Sequence, residues 1–426
     1  MLRETDRGFK FDWITIILFM LLVGFGWVNI LSASHVGEIT SYFDTSELYG
    51  KHLLFIGLTI VLIILILSVE AKFYERFASV IYIVAMLALA GLFIFGKDVN
   101  GARSWYGIGS MTIQPSEFAK FATALAVAKY MSDLNTNMAT IQDQLKAAAL
   151  IVVPALLILL QNDAGSTVVY ASFFFVFYRE GLQKIYLSMA ISAILLAVIS
   201  LKFGILPTAI VAAILVFGVY FFKRKKRASF IYPIVIFIVS IAFAFGVKAF
   251  YDHGLKPHQQ NRISLWLRLE KDPVKLERMK KEEAYNLIQS EKAISSGGVS
   301  GKGFLEGTRT TGKFVPEQHT DYIFSTVGEE WGFMGSALVV IIFMALIIRV
   351  LFLAESQKST FSRVYGYAVA SILFIHFTIN IGMVMGLIPT VGIPLPFFSY
   401  GGSGLWGFTI LLFIFVKLDS NKINEW

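Results

Sequence analysis

Between Tyr251 and Glu330, about 80 residues hold twelve of the chain's 29 acidic side chains, interleaved with lysines, arginines, three histidines and a glycine cluster from Ser295 to Gly303. Carboxylates at that density, with cations beside them, are the groups that move protons and stabilise developing charge. Three smaller constellations lie outside this stretch. Gln114-Pro115-Ser116-Glu117-Phe118-Ala119-Lys120 opens an apolar run. A proline in the first helical turn costs no hydrogen bond, and Glu117 and Lys120 then lie three apart on one helix face. An ion pair at membrane depth is expensive and marks function by default, whereas a pair that snorkels to the interface is the alternative reading. Gln161-Asn162-Asp163-Ala164-Gly165 separates two apolar runs with almost no loop. The favoured reading there is a tight helix-to-helix turn capped by Asp163. The third constellation, Ile388 to Gly404, packs three prolines and four glycines into 17 residues. It cannot be a continuous helix, and irregular backbone near membrane depth is tolerated where it lines a protein cavity. A re-entrant segment is expected, with glycine N–H groups and the following helix N-terminus facing an anionic ligand.

The elements that position these residues are membrane helices. Of 426 residues 56% are hydrophobic, 15% are charged and 39 are Phe, which excludes an ordinary soluble domain. A bilayer core of about 30 Å needs roughly 20 apolar residues per helix. Such windows recur near 12–32, 52–69, 77–96, 114–132, 146–161, 165–179, 183–201, 204–222, 229–251, 331–353, 362–386 and 399–418, twelve in all. The expected fold is an all-α polytopic transmembrane bundle: residues 1–251 as N-terminal helices, 252–330 as one large loop, and 331–426 as C-terminal helices carrying the re-entrant 388–404 segment. Nearly unbroken apolar runs such as Ile234 to Val247 exclude an outer-membrane barrel. Arg3, Arg7 and Lys10 precede the first apolar span, which is too long for a signal core and is expected to stay as a membrane helix.

Cysteine is absent, which removes disulfides and thiolate metal sites. The net charge of +8 has its densest run at Lys223 to Arg227, between two apolar spans, where it reads as a topology anchor and not as a nucleic-acid site. With the N-terminus inside, Lys72, Arg76, Arg179, Lys184, that run, Lys358 and Arg363 are all cytoplasmic, as the positive-inside rule prefers. Only Lys51, Lys97, Arg103 and Lys202 then occupy short external loops, and 252–330 faces outward while both termini are cytoplasmic.

In this order the pieces resemble the SEDS family (shape, elongation, division, sporulation). The resemblance covers nearly the whole chain. It rests on Gly101-Ala102-Arg103 followed by the Gln114 to Lys120 run, the Asp163/Gly165 turn, Tyr285 to Ser290, Ser296-Gly297-Gly298, and Gly301-Lys302-Gly303-Phe304. It continues through Pro316 to Phe324, Glu329-Glu330 and Ser399 to Ser403. The Gly-Lys-Gly-Phe reading after the double glycine looks like the RodA elongation branch and not the FtsW division branch. Two features depart from the family. Members typically have ten spans, so 183–251 carries an extra helix pair, and Asp272-Pro273 is separated from Tyr285-Asn286 by eleven residues, Val274 to Ala284.

The resemblance implies a glycosyltransferase of the bacterial cytoplasmic membrane that polymerises lipid II into peptidoglycan glycan strands, with undecaprenyl pyrophosphate leaving. A diphosphate leaves without protonation, so one general base and positive charge suffice. The sequence alone does not select among the loop's carboxylates; the family's essential aspartate maps onto Asp272. A residue before proline is held extended, which projects it from the loop. The residues expected to bind substrate are Arg103, Glu117, Lys120, Lys302, His319, Asp321, Ser399, Gly401 and Gly402, with His319 equally readable as a structural histidine. A divalent cation, magnesium or manganese, is compatible with this chemistry, but no ligand cluster of metal-site spacing stands out, and the metal stays open. The implied partners are lipid II and the nascent strand, a class B penicillin-binding protein that supplies transpeptidation, and other membrane proteins of the elongation complex, without nucleic acid. The rival readings are a lipid-linked precursor flippase, for which no internal repeat is visible, a scaffold that recruits a partner, and a division-branch polymerase.

Overall fold

The structure, a computed structural model, describes residues 11–35, 41–99, 101–109, 111–223 and 229–422. Of the basic run at 223–227, residues 224–227 lie outside the described residues, as do Arg3, Arg7 and Lys10. The chain divides into two compact units.

The first unit comprises the chain to Gly181, Gln289–Met385 and Val391 onward. Its helices are α1 (Trp13–Ser34), α2 (Leu48–Ser68), α3 (Ala71–Phe95), α4 (Pro115–Met131) and α5 (Ile141–Leu160). After these come α6 (Ala164–Val169) and α7 (Phe173–Arg179), joined by a 3₁₀ turn at Tyr170–Ser172. Between α3 and α4 an antiparallel sheet of three short strands, β1 (Lys97–Val99), β2 (Ala102–Ile108) and β3 (Met111–Ile113), replaces the plain loop expected there. Gly101 turns the first hairpin at φ +80°, a left-handed conformation open to glycine at no steric cost.

The second unit, Leu182–Ile288 with Gly386–Thr390, contains α8 (Lys184–Phe203), α9 (Ile205–Lys223), α10 (Ile231–Ala249), α11 (Pro257–Leu267) and α12 (Pro273–Glu282). The eleven-residue insertion is therefore almost entirely helix α12, which starts at a proline, has its first turn capped by the Asp272 side chain and buries Met279. The helix α13 (Tyr285–Gly297) starts in this unit and ends in the first, which continues with α14 (Thr308–Thr311), α15 (Ile323–Glu330), α16 (Gly332–Glu355), α17 (Thr360–Val384) and α18 (Gly402–Asn421). The expected 252–330 loop is thus split at residue 288.

Among the described residues ten helices are long and apolar enough to cross a membrane, and the chain is an all-α polytopic membrane protein. Two of the twelve expected spans are different objects. The fourth is α4, only 17 residues long, and the sixth is the broken α6 to α7 segment. Neither has to meet lipid along its length. Helix α4 buries Ala119, Ala122, Ala124, Ala126 and Ala128, and packs against α3, α5, α17 and α18. Small residues let the backbones approach closely where no hydrophobic effect drives helices together. Burial separates the roles of the long helices: 78% of the apolar window is buried in α17 and in α18, against 6–11% in α8, α9 and α10. The first pair is core, and the helices within 183–251, where an extra pair is expected, are mostly exposed.

Candidate functional site: a walled cavity behind the re-entrant segment

The site in the first unit is built on the start of α4. Gln114 is extended, Pro115 takes the first helical position, and Glu117 and Lys120 follow on the face turned toward α17 and α18. Lys120 Nζ lies 2.7 Å from Glu117 Oε1, and the two side chains are 2% and 3% exposed. This is a buried pair and not one that snorkels to an interface. The pair extends to a residue that no motif had pointed to: His376 of α17, whose Nε2 is 3.0 Å from Lys120 Nζ and whose Nδ1 is 3.3 Å from the Pro394 carbonyl. The ammonium also sits 4.6 Å above the centre of the Phe408 ring.

Residues 391–401 carry no regular structure and are mostly buried, as the prolines and glycines dictate. Several of their backbone groups are paired from within the protein, as are those of the chain they pack against. Asn380 donates to the carbonyls of Ile393 at 2.7 Å and Asp321 at 2.8 Å. Ser399 Oγ accepts from the Leu395 N–H and donates to the Thr320 carbonyl, and the Tyr400 N–H donates to the His319 carbonyl. Irregular backbone at this depth is tolerated on those terms. Gly401, at φ +147°, then starts α18.

Between these elements lies a cavity of about 710 Å³, lined among others by Lys51, Phe55, Trp105, Glu117, Tyr400 and the glycines 401, 402 and 404. Ser399 lines it as well. The wall offers aromatic faces, one carboxylate, one exposed lysine and the open backbone of a helix start, a set suited to a polar, anionic head group with sugar rings.

Of the expected binding residues, Glu117, Ser399, Gly401 and Gly402 are brought to the cavity and Lys120 stands directly behind Glu117. Arg103, Lys302, His319 and Asp321 are not among the lining residues, each for a visible reason. The Arg103 guanidinium donates to the Gly96 and Ile94 carbonyls and closes the end of α3. Lys302 Nζ is 2.6 Å from Glu329 Oε1. The His319 ring meets that of Tyr400 edge-on, with centres 5.6 Å apart, and burial holds its imidazole below the ordinary value. The Asp321 carboxylate lies against Gly392. Asp163 is a cap: it accepts from the Ser166 N–H and takes a bond from Gln114 Nε2 at 2.9 Å. Lys51 and His376 were missed. Lys51 read as a positive-inside exception, which was a signal; a single histidine in an apolar run was none.

The motif pair Glu329 and Glu330 supports the neighbouring loop. Burial opposes ionisation of Glu329, but Lys302, the N–H groups of Arg309 and Thr310 and the Thr310 hydroxyl hold its carboxyl below the usual range. Burial instead pushes Glu330 up to about 7, against the Ser32 hydroxyl that donates to it.

In the second unit, Asp272 is exposed at φ −71°, ψ 117°, the extended conformation expected before proline. Its Oδ1 accepts from the Val274 N–H at 3.0 Å, and its own N–H donates to Glu270. Glu283 is half-buried and accepts from Asn261 at 2.6 Å. No group of three or more His, Asp or Glu side chains able to hold a metal occurs among the described residues.

A polytopic helical bundle enclosing a polar, aromatic-walled cavity beside a re-entrant segment defines the class of membrane protein to which this chain belongs. The chain is a member of the FtsW/RodA/SpoVE family of cell cycle proteins, whose sequence pattern it matches over residues 12–206 and 179–424. The SEDS resemblance carried by its motifs is borne out, on the RodA branch. It is 31% identical over 350 residues to the peptidoglycan glycosyltransferase MrdB of Escherichia coli K12, with 82% of this chain and 80% of that one aligned. It is 28% identical to the peptidoglycan glycosyltransferase RodA of Treponema pallidum over 97% of this chain and 98% of the relative. The fold is shared with a chain of a peptidoglycan synthase complex described as coordinating polymerization and crosslinking, at TM-score 0.71, 22% identity and coverage of 97% and 99%. It is shared also with the rod shape determining protein RodA of Thermus thermophilus, at TM-score 0.62, 22% identity and coverage of 97% and 98%.

Proposed function

We propose that this protein is a peptidoglycan glycosyltransferase that polymerises lipid II into glycan strands during cell elongation. The observation that carries the reading is the cavity: a buried, ion-paired carboxylate and a helix start facing a space of head-group size, in a chain whose full-length relatives bear that enzymatic name. The reaction joins an acceptor sugar hydroxyl to the anomeric carbon of the growing strand, and undecaprenyl pyrophosphate departs. The leaving diphosphate needs no proton, so the protein has to supply a base for the hydroxyl and positive charge for the leaving group. Asp272 is the proposed base. Its exposure and extended backbone leave Oδ2 for an incoming hydroxyl while Oδ1 caps α12. Lys51, in the cavity wall of the first unit, is the proposed cation for an anionic head group bound there. A divalent metal would supply further charge, but the described acidic and histidine side chains do not converge on a site for one, and no step is assigned to it.

The same reading puts the chain in the bacterial cytoplasmic membrane with both termini inside, working on lipid-linked sugars outside. A class B penicillin-binding protein is the proposed partner; the described relationship between polymerization and crosslinking in the structurally similar synthase complex supports that pairing.

The test is glycan polymerisation by purified Asp272→Asn protein reconstituted with lipid II and its partner. The amide keeps the shape and the cap but cannot accept a proton, so strand formation is expected to fall by about two to four decades. Glu277→Gln and Glu282→Gln, whose carboxylates pair with Lys280 and Arg278 along α12, are expected to keep activity. Near-normal polymerisation by Asp272→Asn, with loss in Glu283→Gln instead, would move the base past the insertion. Lipid translocation without strands in the unsubstituted protein would favour the flippase reading.

A further inference from the structure

His376 touches none of the cavity space, yet two parts of the cavity wall meet on it and a third reaches it through Lys120. Pro394 of the re-entrant segment, Phe408 of α18 and Glu117 of α4 all line the cavity. The His376 ring is fully buried behind them. Its Nδ1 faces the Pro394 carbonyl at 3.3 Å, its Nε2 faces Lys120 Nζ at 3.0 Å, and its plane meets the Phe408 ring edge-on at 4.7 Å. A carbonyl oxygen only accepts, so Nδ1 carries the proton toward Pro394 and Nε2 turns its lone pair to the ammonium. Lys120 in turn donates to Glu117 Oε1 at 2.7 Å. The other oxygen, Glu117 Oε2, is buried and has no hydrogen-bond partner, 4.0 Å from the space a side chain on Gly404 would fill. A buried carboxylate oxygen left without a donor is costly unless something supplies one.

We propose that His376 is a positioning residue that sets the cavity's binding carboxylate: it holds Lys120 between itself and Glu117, so that Glu117 Oε2 accepts a hydroxyl or amide N–H of the substrate head group. The bond from Nδ1 to the re-entrant backbone fixes the ring. The lone pair on Nε2 then orients the ammonium, and the ammonium fixes the rotamer of Glu117. Removing the histidine leaves Lys120 one acceptor short and frees the carboxylate to swing away from the cavity. A histidine present only to fill space would lack this directionality, because either half of the ring could be replaced with equal effect.

That difference supplies the test. The amide of glutamine reaches the place of Nε2 and offers Lys120 an acceptor, whereas that of asparagine reaches only the place of Nδ1 and keeps the bond to Pro394. In polymerisation of lipid II by the full-length protein, a readout that rests on the function proposed above, His376→Gln is expected to stay within about threefold of the unsubstituted protein. His376→Asn is expected to lose about ten- to a hundredfold, the worth of one hydrogen bond to a charged group. Equal losses in the two variants, or a larger loss in His376→Gln, would overturn the inference. If the unsubstituted protein makes no glycan, the function reading fails and the inference is decided by folding alone. There, His376→Asn is expected to lower the thermal midpoint in detergent further in the native background than in a Glu117→Leu/Lys120→Met background, where no ammonium needs an acceptor. Equal lowering in both backgrounds would show that His376 and the ion pair are independent, and the positioning role would fall.

Discussion

Glu117 and Glu330 are both carboxylates removed from water, and their surroundings give them opposite behaviour. Glu117 faces an ammonium at 2.7 Å inside the bundle, so truncating it strands a buried charge. Glu117→Ala is expected to cost about 3–5 kcal/mol, whereas Glu117→Leu with Lys120→Met, which removes both charges and keeps volume, is expected to come close to neutral. Thermal unfolding of the two purified variants checks the order; additive, mild losses would mean that the pair is not coupled. Among the described residues no cation pairs with Glu330, and burial raises its pKa to about 7. Between the ordinary value of 4.5 and about 7 the folded protein holds a proton that the unfolded chain releases, so this group's contribution to stability is greatest in acid and is lost as pH rises through that window. Glu330→Gln removes the titration and is expected to raise the thermal midpoint at pH 8 more than at pH 5. A pH-independent difference would place the ionised carboxylate in a better-solvated site than its burial indicates.

At the scale of elements, the re-entrant segment depends on close approach. A side-chain carbon on Gly165 would lie 2.9 Å from both the Gly392 carbonyl oxygen and Ile393 Cγ2, which is nearer than ordinary contact. The start of α6 and the backbone beside the cavity therefore touch directly, with room for a hydrogen and not for a methyl. Gly165→Ala is expected to displace residues 391–394, lower activity and reduce the thermal midpoint. Gly181→Ala is a weak control, because its φ of +105° strains any side chain; Gly24→Ala in α1, where nothing lies within 4 Å, is the proper one. Equal behaviour of Gly165→Ala and Gly24→Ala would mean that this contact does not shape the segment. Helix α12 shows the converse case. The insertion needed a start, and Asp272-Pro273 supplied both the cap and the first-turn proline, so a residue with a proposed chemical role also begins a helix.

At the scale of the whole molecule, the proposed orientation rests on lysines and arginines in short loops. A cysteine in place of Lys225, between α9 and α10, is expected to resist an impermeant thiol reagent in intact cells, and one in place of Lys280 on exposed α12 to react. The reverse pattern would turn the 252–330 stretch away from lipid-linked sugars and remove the basis for Asp272 as base. What the chain by itself determined was its solvent and its punctuation. Runs of about 20 apolar residues had to become helices, because a backbone in hydrocarbon must satisfy its own hydrogen bonds, and the prolines and glycines from Pro389 to Gly401 had to interrupt them, while Gly402 to Gly404 open α18. The Asp163 cap and the α4 start at Pro115 were equally local, and equally legible. Tertiary structure alone decided which polar residues meet. Lys120 and His376 are 256 positions apart, and Arg103 and Lys302, equally basic, were drawn to α3 carbonyls and to Glu329. No local rule reports such partners, because a buried charge goes to whichever acceptor the packing of distant helices brings within hydrogen-bond reach.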